Sequence, residues 1–307
     1  MIDITLLGTS ALLPLPERAL TAAVAACEGR SILFDCGEGT QTAARKAHVS
    51  LMKTDLIALT HYHGDHVFGL PGLMQTMGSM NRTQPLMITG PMGLKEAMEP
   101  VLRLAEKLPF PVSLFSIPAE GMALSAFFPS WPELARLTPF PTRHRVPSQG
   151  YALTLDRPGR FDPEKARALS IPIQWWSKLQ QGETIQTEMS VFTPDQVLGP
   201  PRQGLKFVFS GDTAPCDTLI QAAENADLLI CEATYGEDDQ ADLAAQYGHM
   251  TFSQAGLAGA QAHAKALWLA HFSQRIETPE DHLPLAAAHF PGAVCGQDGM
   301  KTTLRFP

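Results

Sequence analysis

Leu59-Thr60-His61-Tyr62-His63-Gly64-Asp65-His66 decides how this chain is read. The apolar run Leu56 to Thr60 predicts a strand, so the polar residues after it project from a loop at the strand's C-terminal end. Ligand sites of open α/β sheets sit at such ends. While the chain stays extended, His61, His63 and Asp65 point the same way, and His66 follows where Gly64 permits a tight bend. Three imidazoles and one carboxylate within six residues suit zinc or another borderline divalent cation.

Four groups do not complete two metal sites, so further donors are expected at other strand ends. Asp212, in Phe209-Ser210-Gly211-Asp212-Thr213, follows the apolar run Lys206 to Phe209. His271 follows Ala266 to Ala270, and His144 stands in Pro141-Thr142-Arg143-His144-Arg145. Each repeats one local design, an apolar strand closing on a single polar group. His48, His263, His282 and His289 lack that context and are read as surface or structural residues.

Further short apolar runs predict strands over Ile2 to Leu7, Ser31 to Phe34, Pro85 to Thr89 and Asp227 to Ile230. Helical spacing lies between them, over Gly39 to His48, Gly93 to Leu108 and Thr251 to Lys265. The alternation favours a layered α/β fold, expected as one domain over residues 1–307. No internal period appears, which excludes a repeat array. From Asp156 to about Pro201 the rhythm breaks into a stretch rich in Pro, Gly, Gln and charge, read as an arm that protrudes from the domain. Within it, Trp175 and Trp176 cannot both face one core from a regular helix or strand, so part of the arm is expected to be exposed.

The composition is that of a soluble enzyme, 45% hydrophobic and 18% charged. No apolar run approaches the roughly 20 residues of a membrane helix. The start, Met1-Ile2-Asp3-Ile4-Thr5-Leu6-Leu7, has no basic stretch before a long apolar segment, which argues against a secretory signal. Five cysteines without a C-x-x-C pair suit a reducing cytoplasm better than a disulfide framework. The net charge of −8 runs against a nucleic-acid partner, although a site with its own cations and a local basic patch can coexist with an acidic remainder.

With H-x-H-x-D-H followed by a later His, Asp and His, the chain resembles the metallo-β-lactamase superfamily. That resemblance implies a four-layer αββα sandwich and two divalent ions, with zinc expected and manganese the alternative. It also implies a ligand set: His61, His63 and His144 on the first metal, Asp65, His66 and His271 on the second, and Asp212 bridging. One shared carboxylate is chemically sensible for two cations at the roughly 3.5–4 Å separation used in phosphoester hydrolysis.

Other stretches narrow the resemblance to the tRNA 3′-processing endonucleases, the RNase Z family in its short bacterial form. They include Leu7-Gly8-Thr9-Ser10-Ala11, Phe34-Asp35-Cys36-Gly37-Glu38-Gly39-Thr40-Gln41 and Val67-Phe68-Gly69-Leu70-Pro71-Gly72-Leu73. Gly211-Asp212-Thr213, Glu232-Ala233-Thr234 and His271-Phe272-Ser273-Gln274-Arg275 add to them. The arm, from Phe161 to Ile185, is similar to the exosite that grips the tRNA body in those homodimers. Between Asp156 and Lys178 five basic residues stand against three acidic ones, a local excess opposite in sign to the whole chain.

The resemblance implies a precursor tRNA substrate. It casts Asp65 as acceptor of the attacking water's proton and His249, supported by Glu232, as the general acid. Ser273, Arg275 and Lys178 are candidate substrate-binding residues. Departures fall outside the ligand set: Cys231 replaces a family His, Met250 a Ser, Ile173-Gln174-Trp175-Trp176 a Gly-Pro pair, and the residues after Ser10 are altered. The competing readings are a hydrolase of this fold acting on a small phosphodiester or other ester, and a non-catalytic RNA-binding scaffold.

Overall fold

The computed structural model describes residues 1–307 apart from Glu106 and Glu188. Those two positions, in the predicted helix over 93–108 and the predicted arm, lie outside the described residues.

Two seven-stranded sheets make the centre of the molecule. The first runs, edge to edge, Lys301–Leu304, Ile2–Gly8, Ala22–Cys27, Arg30–Phe34, Thr54–Ala58, Leu86–Thr89 and Val112–Leu114. The second runs Ala293–Cys295, Leu267–Ala270, Leu228–Glu232, Arg202–Phe209, Gln149–Arg157, Ala135–Pro141 and Met122–Ala123. In each sheet four neighbouring strands are parallel. Between the sheets lies one core, in which Ile4, Phe34 and Leu56 meet Tyr151, Phe207 and Ile230.

The outer faces are also covered. Helices Thr40–Lys46, Leu70–Ser79 and Leu94–Leu104 pack on the first sheet through Ala43, Met74 and Met98, which meet Leu33 and Ile57. Helices Asp217–Ala222, Phe252–Gln261 and Leu283–Ala287 cover the second through Leu219, Ala255 and Ala286, which meet Val208 and Leu229. The result is the expected αββα sandwich. Strands buried on both faces read as continuous apolar runs rather than alternating ones, which is why Lys206 to Phe209 and Ala266 to Ala270 stand out in the sequence.

The arm carries a small core of its own. Ala166, Ile171, Leu179 and Val197 are buried, with Phe161, Trp175, Trp176, Ile185 and Phe192 packed around them. Both tryptophans therefore face one core, contrary to the reading from their adjacency. The backbone changes type between them, from the 3-10 turn Ile173–Trp175 to the helix Trp176–Gln180. Trp176 lies 5.3 Å from Phe161 and Trp175 lies 6.0 Å from Phe192, centroid to centroid. Ile173 and Gln174, just before the tryptophans, are exposed.

Candidate metal centre

The strand before the metal loop is Thr54–Ala58, two residues shorter than its apolar run suggests at the C-terminal end. The loop is not extended throughout: a one-turn helix, Gly64–Val67, begins after His63 and carries Asp65 and His66. A Cβ at Gly64 would meet the exposed Phe68 ring at 2.4 Å, so a side chain there would push that ring aside.

All seven expected ligand residues converge. His61, His63, His144 and Asp212 form one group whose donor atoms lie within 4.8 Å of one another, and Asp65, His66 and His271 form another. His63 Nδ1 stands 2.9 Å from His61 Nε2 and 3.3 Å from His144 Nε2. Donors at the usual Zn–N length of about 2.0–2.1 Å around a tetrahedral ion are roughly 3.3 Å apart, so the spacing fits a cation. Asp212 lies between the groups. Its Oδ2 is 3.6 Å from His61 Nε2 and 3.5 Å from His66 Nε2, and its Oδ1 is 3.2 Å from His271 Nε2.

The fit is tested by what these atoms lack. His66 Nε2, Asp212 Oδ1 and His271 Nε2 are buried without a hydrogen-bond partner among the described residues. An unsatisfied buried polar atom costs about 1–3 kcal/mol, and three around one point call for a cation. Burial, the largest influence, holds His61 well below the ordinary imidazole pKa and also lowers His63 and His144, so their lone pairs are available. Burial would raise Asp65 and Asp212, but the surrounding imidazoles outweigh it and keep both carboxylates ionised.

A second layer of residues fixes the rings of His61, His66, His144 and His271. His66 Nδ1 donates to Asp35 Oδ2 at 2.8 Å. The Thr60 amide and hydroxyl also donate to Asp35, and His61 Nδ1 donates to that hydroxyl. His144 Nδ1 donates to the Gly248 carbonyl at 2.9 Å. His271 Nδ1 donates to Thr234 Oγ1 (3.0 Å), which donates to Glu232 Oε2 (2.7 Å). Such contacts set the tautomer that frees Nε2. Sequence reading assigned no role to Asp35, Thr60 or Thr234; the available signal was an acid or hydroxyl beside a strand end.

His249 Nδ1 donates to Glu232 Oε1 at 2.9 Å. Burial lowers the His249 pKa, but the Glu232 charge and hydrogen bond outweigh it and raise it to about 9. Cys231 and Met250 point away, into the core under the outer helices. Strand alternation places Glu232 on the opposite side of its strand from Cys231, so these departures leave the His249–Glu232 pair intact.

The centre opens into a cleft of about 890 Å³. Ser273 and Arg275 line it, whereas Lys178 lies on the arm, exposed and 3.7 Å from Glu183. Of the four histidines set aside in the sequence, His282 also lines the cleft, and its Nδ1 donates to Glu237 Oε1 at 2.7 Å. One wall is apolar, with Leu12, Leu13 and Phe68 exposed.

Residues 2–104 match the family model described as Anti-Pycsar protein Apyc1. The chain is 41% identical over 308 residues to the ribonuclease Z of Lachnoclostridium phytofermentans, covering 100% of this chain and 99% of that one. It is 39% identical over 315 residues to the ribonuclease Z of Clostridium tetani, with the same shares covered. Among solved structures it is similar to human tRNase Z, short form, with a TM-score of 0.68, 28% identity and coverage of 99% and 100%. The metallo-β-lactamase fold protein YhfI of Bacillus subtilis, at 20% identity and TM-score 0.68 over 98% of each chain, shares the fold. With full-length identity of this order to its curated relatives, the chain belongs to the ribonuclease Z family.

Proposed function

We propose that this protein is a metal-dependent endoribonuclease that cuts the 3′ trailer from precursor tRNA, leaving a 3′-hydroxyl on the tRNA and a 5′-phosphate on the trailer. The observation that carries the reading is the cluster of seven donor side chains around Asp212 in a full-length ribonuclease Z relative. His61, His63, His144 and Asp212 would hold one ion, and Asp65, His66, His271 and Asp212 the other. Two divalent cations held there, zinc by preference or manganese, would supply an activated water near neutral pH and charge stabilisation for the phosphoryl group.

The protein's own groups do the rest. Asp65 accepts the proton of the attacking water, with Oδ2 held by the Leu12 amide at 2.9 Å. His249, protonated through its pairing with Glu232, gives its proton to the leaving 3′ oxygen. Ser273 and Arg275 contact the strand in the cleft, and the arm, with Lys178, reaches the tRNA body. The proposed enzyme is a single catalytic domain working as a homodimer in the cytoplasm, where the five unpaired cysteines remain reduced.

The test is cleavage of a precursor tRNA by metal-loaded protein, mapped at nucleotide resolution beside bis(p-nitrophenyl) phosphate. A single cut at the tRNA–trailer junction, lost with a chelator and restored by zinc or manganese, is expected. Turnover of the small diester with the precursor left whole would replace this reading with that of a small-phosphodiester hydrolase.

A further inference from the structure

Arg145 directly follows His144 and lines the same cleft as His63, Asp65, Asp212 and His249. Its guanidinium carbon lies 4.8 Å from the centre of the Tyr247 ring, at the C-terminal end of helix Ala241–Tyr247. The side chain is exposed. Among the described residues the lysines and arginines with ion-pair partners are Arg30, Lys95, Lys178 and Lys265, and Arg145 is not one of them.

An unpaired cation beside a site for two dications is electrostatically unfavourable until an anion arrives. Packing over the tyrosine ring restrains the guanidinium without using its N–H groups, which stay available to grip phosphate with two parallel hydrogen bonds. The scissile phosphate belongs to the metal ligands, so the edge of Arg145 is available to a neighbouring phosphate of the same strand.

We propose that Arg145, packed over Tyr247, binds a phosphate of the RNA strand next to the scissile one and sets the register of cleavage. The inference rests on the endoribonuclease reading, because a small diester has no second phosphate to offer.

The experiment compares wild type, Arg145→Ala, Arg145→Lys and Tyr247→Leu on precursor tRNA and on bis(p-nitrophenyl) phosphate, with metal content measured for each. For Arg145→Ala, KM for the precursor should rise about tenfold more than KM for the diester. The slope of log affinity against log salt should shrink by about one unit. Arg145→Lys keeps the charge and should restore the salt slope with only part of the affinity. Tyr247→Leu should weaken precursor binding at an unchanged slope. Equal KM changes on the two substrates, or an unchanged salt slope in Arg145→Ala, would overturn the proposal while wild-type cleavage left the endoribonuclease reading standing. A wild type that does not cut the precursor would overturn both.

Discussion

Asp212 turns one oxygen toward His61 and His66 and the other toward His271. Truncating it removes a donor from both proposed sites at once, so Asp212→Ala should lower metal content below two ions per chain. Turnover should fall by about a thousandfold or more, because the remaining residues would no longer hold the pair of ions that the proposed chemistry needs. Elemental analysis and precursor cleavage measure the two losses, and a fully active variant with two ions would exclude the bridging role. His249 should behave differently. In its proposed role it enters the reaction protonated, so kcat should fall as pH rises through about 9. In His249→Ala that alkaline fall should vanish, and the loss of rate should be larger for the RNA 3′ oxygen than for nitrophenolate, which needs no proton. Equal losses on both leaving groups would remove His249 as the general acid.

Most donors that the sequence brought forward follow an apolar strand or sit in the loop after one, so local context marks them; His144 follows a strand, Ala135–Pro141, that its prolines hide. Asp35 has the same context, yet its partner His66 belongs to the loop after the neighbouring parallel strand, and only the pairing of the two strands reveals the 2.8 Å contact. Thr234 and the Gly248 carbonyl are equally silent, since a hydroxyl or backbone oxygen orienting a ring has no sequence signature.

At the scale of elements, the strand Ala22–Cys27 and the long hairpin Ala135–Pro141 and Gln149–Arg157 escaped the sequence reading. Small residues dominate the first, and prolines at both ends of Pro139-Phe140-Pro141 obscure the second. Helix Leu70–Ser79 was missed because Pro71, Gly72 and Gly78 lower its intrinsic propensity. Pro71 sits in its first turn, where no N–H is needed. The helix Phe252–Gln261 shows the opposite case. Thr251 caps it in a reciprocal box with Gln254, as its Thr-x-x-Gln pattern allows. Thr251→Ala should cost about 1 kcal/mol of stability, read from the urea midpoint. Because His249 lies two residues upstream, a loosened cap should also slow precursor cleavage; an unchanged midpoint would show the cap to be replaceable.

Across the whole molecule the four layers put every proposed ligand at the same edge of the two sheets, and metal-loop patterning made that edge readable. The arm's interior was not readable, because its core is assembled from residues as far apart as Phe161 and Val197. That interior is small. Ile171, Leu179 and Val197 stabilise by about 1.5–3 kcal/mol each when buried, whereas ordering backbone costs about 1–2 kcal/mol per residue. The arm therefore belongs to the low-stability end of the chain, and its melting need not disturb the sheets. Amide exchange should report it as a separate opening unit, and brief protease treatment should nick it while both ions stay bound. A catalyst whose proposed grip can come apart without its chemistry would have two independent dials, and a cell or an engineer could turn down substrate capture while leaving the blade sharp.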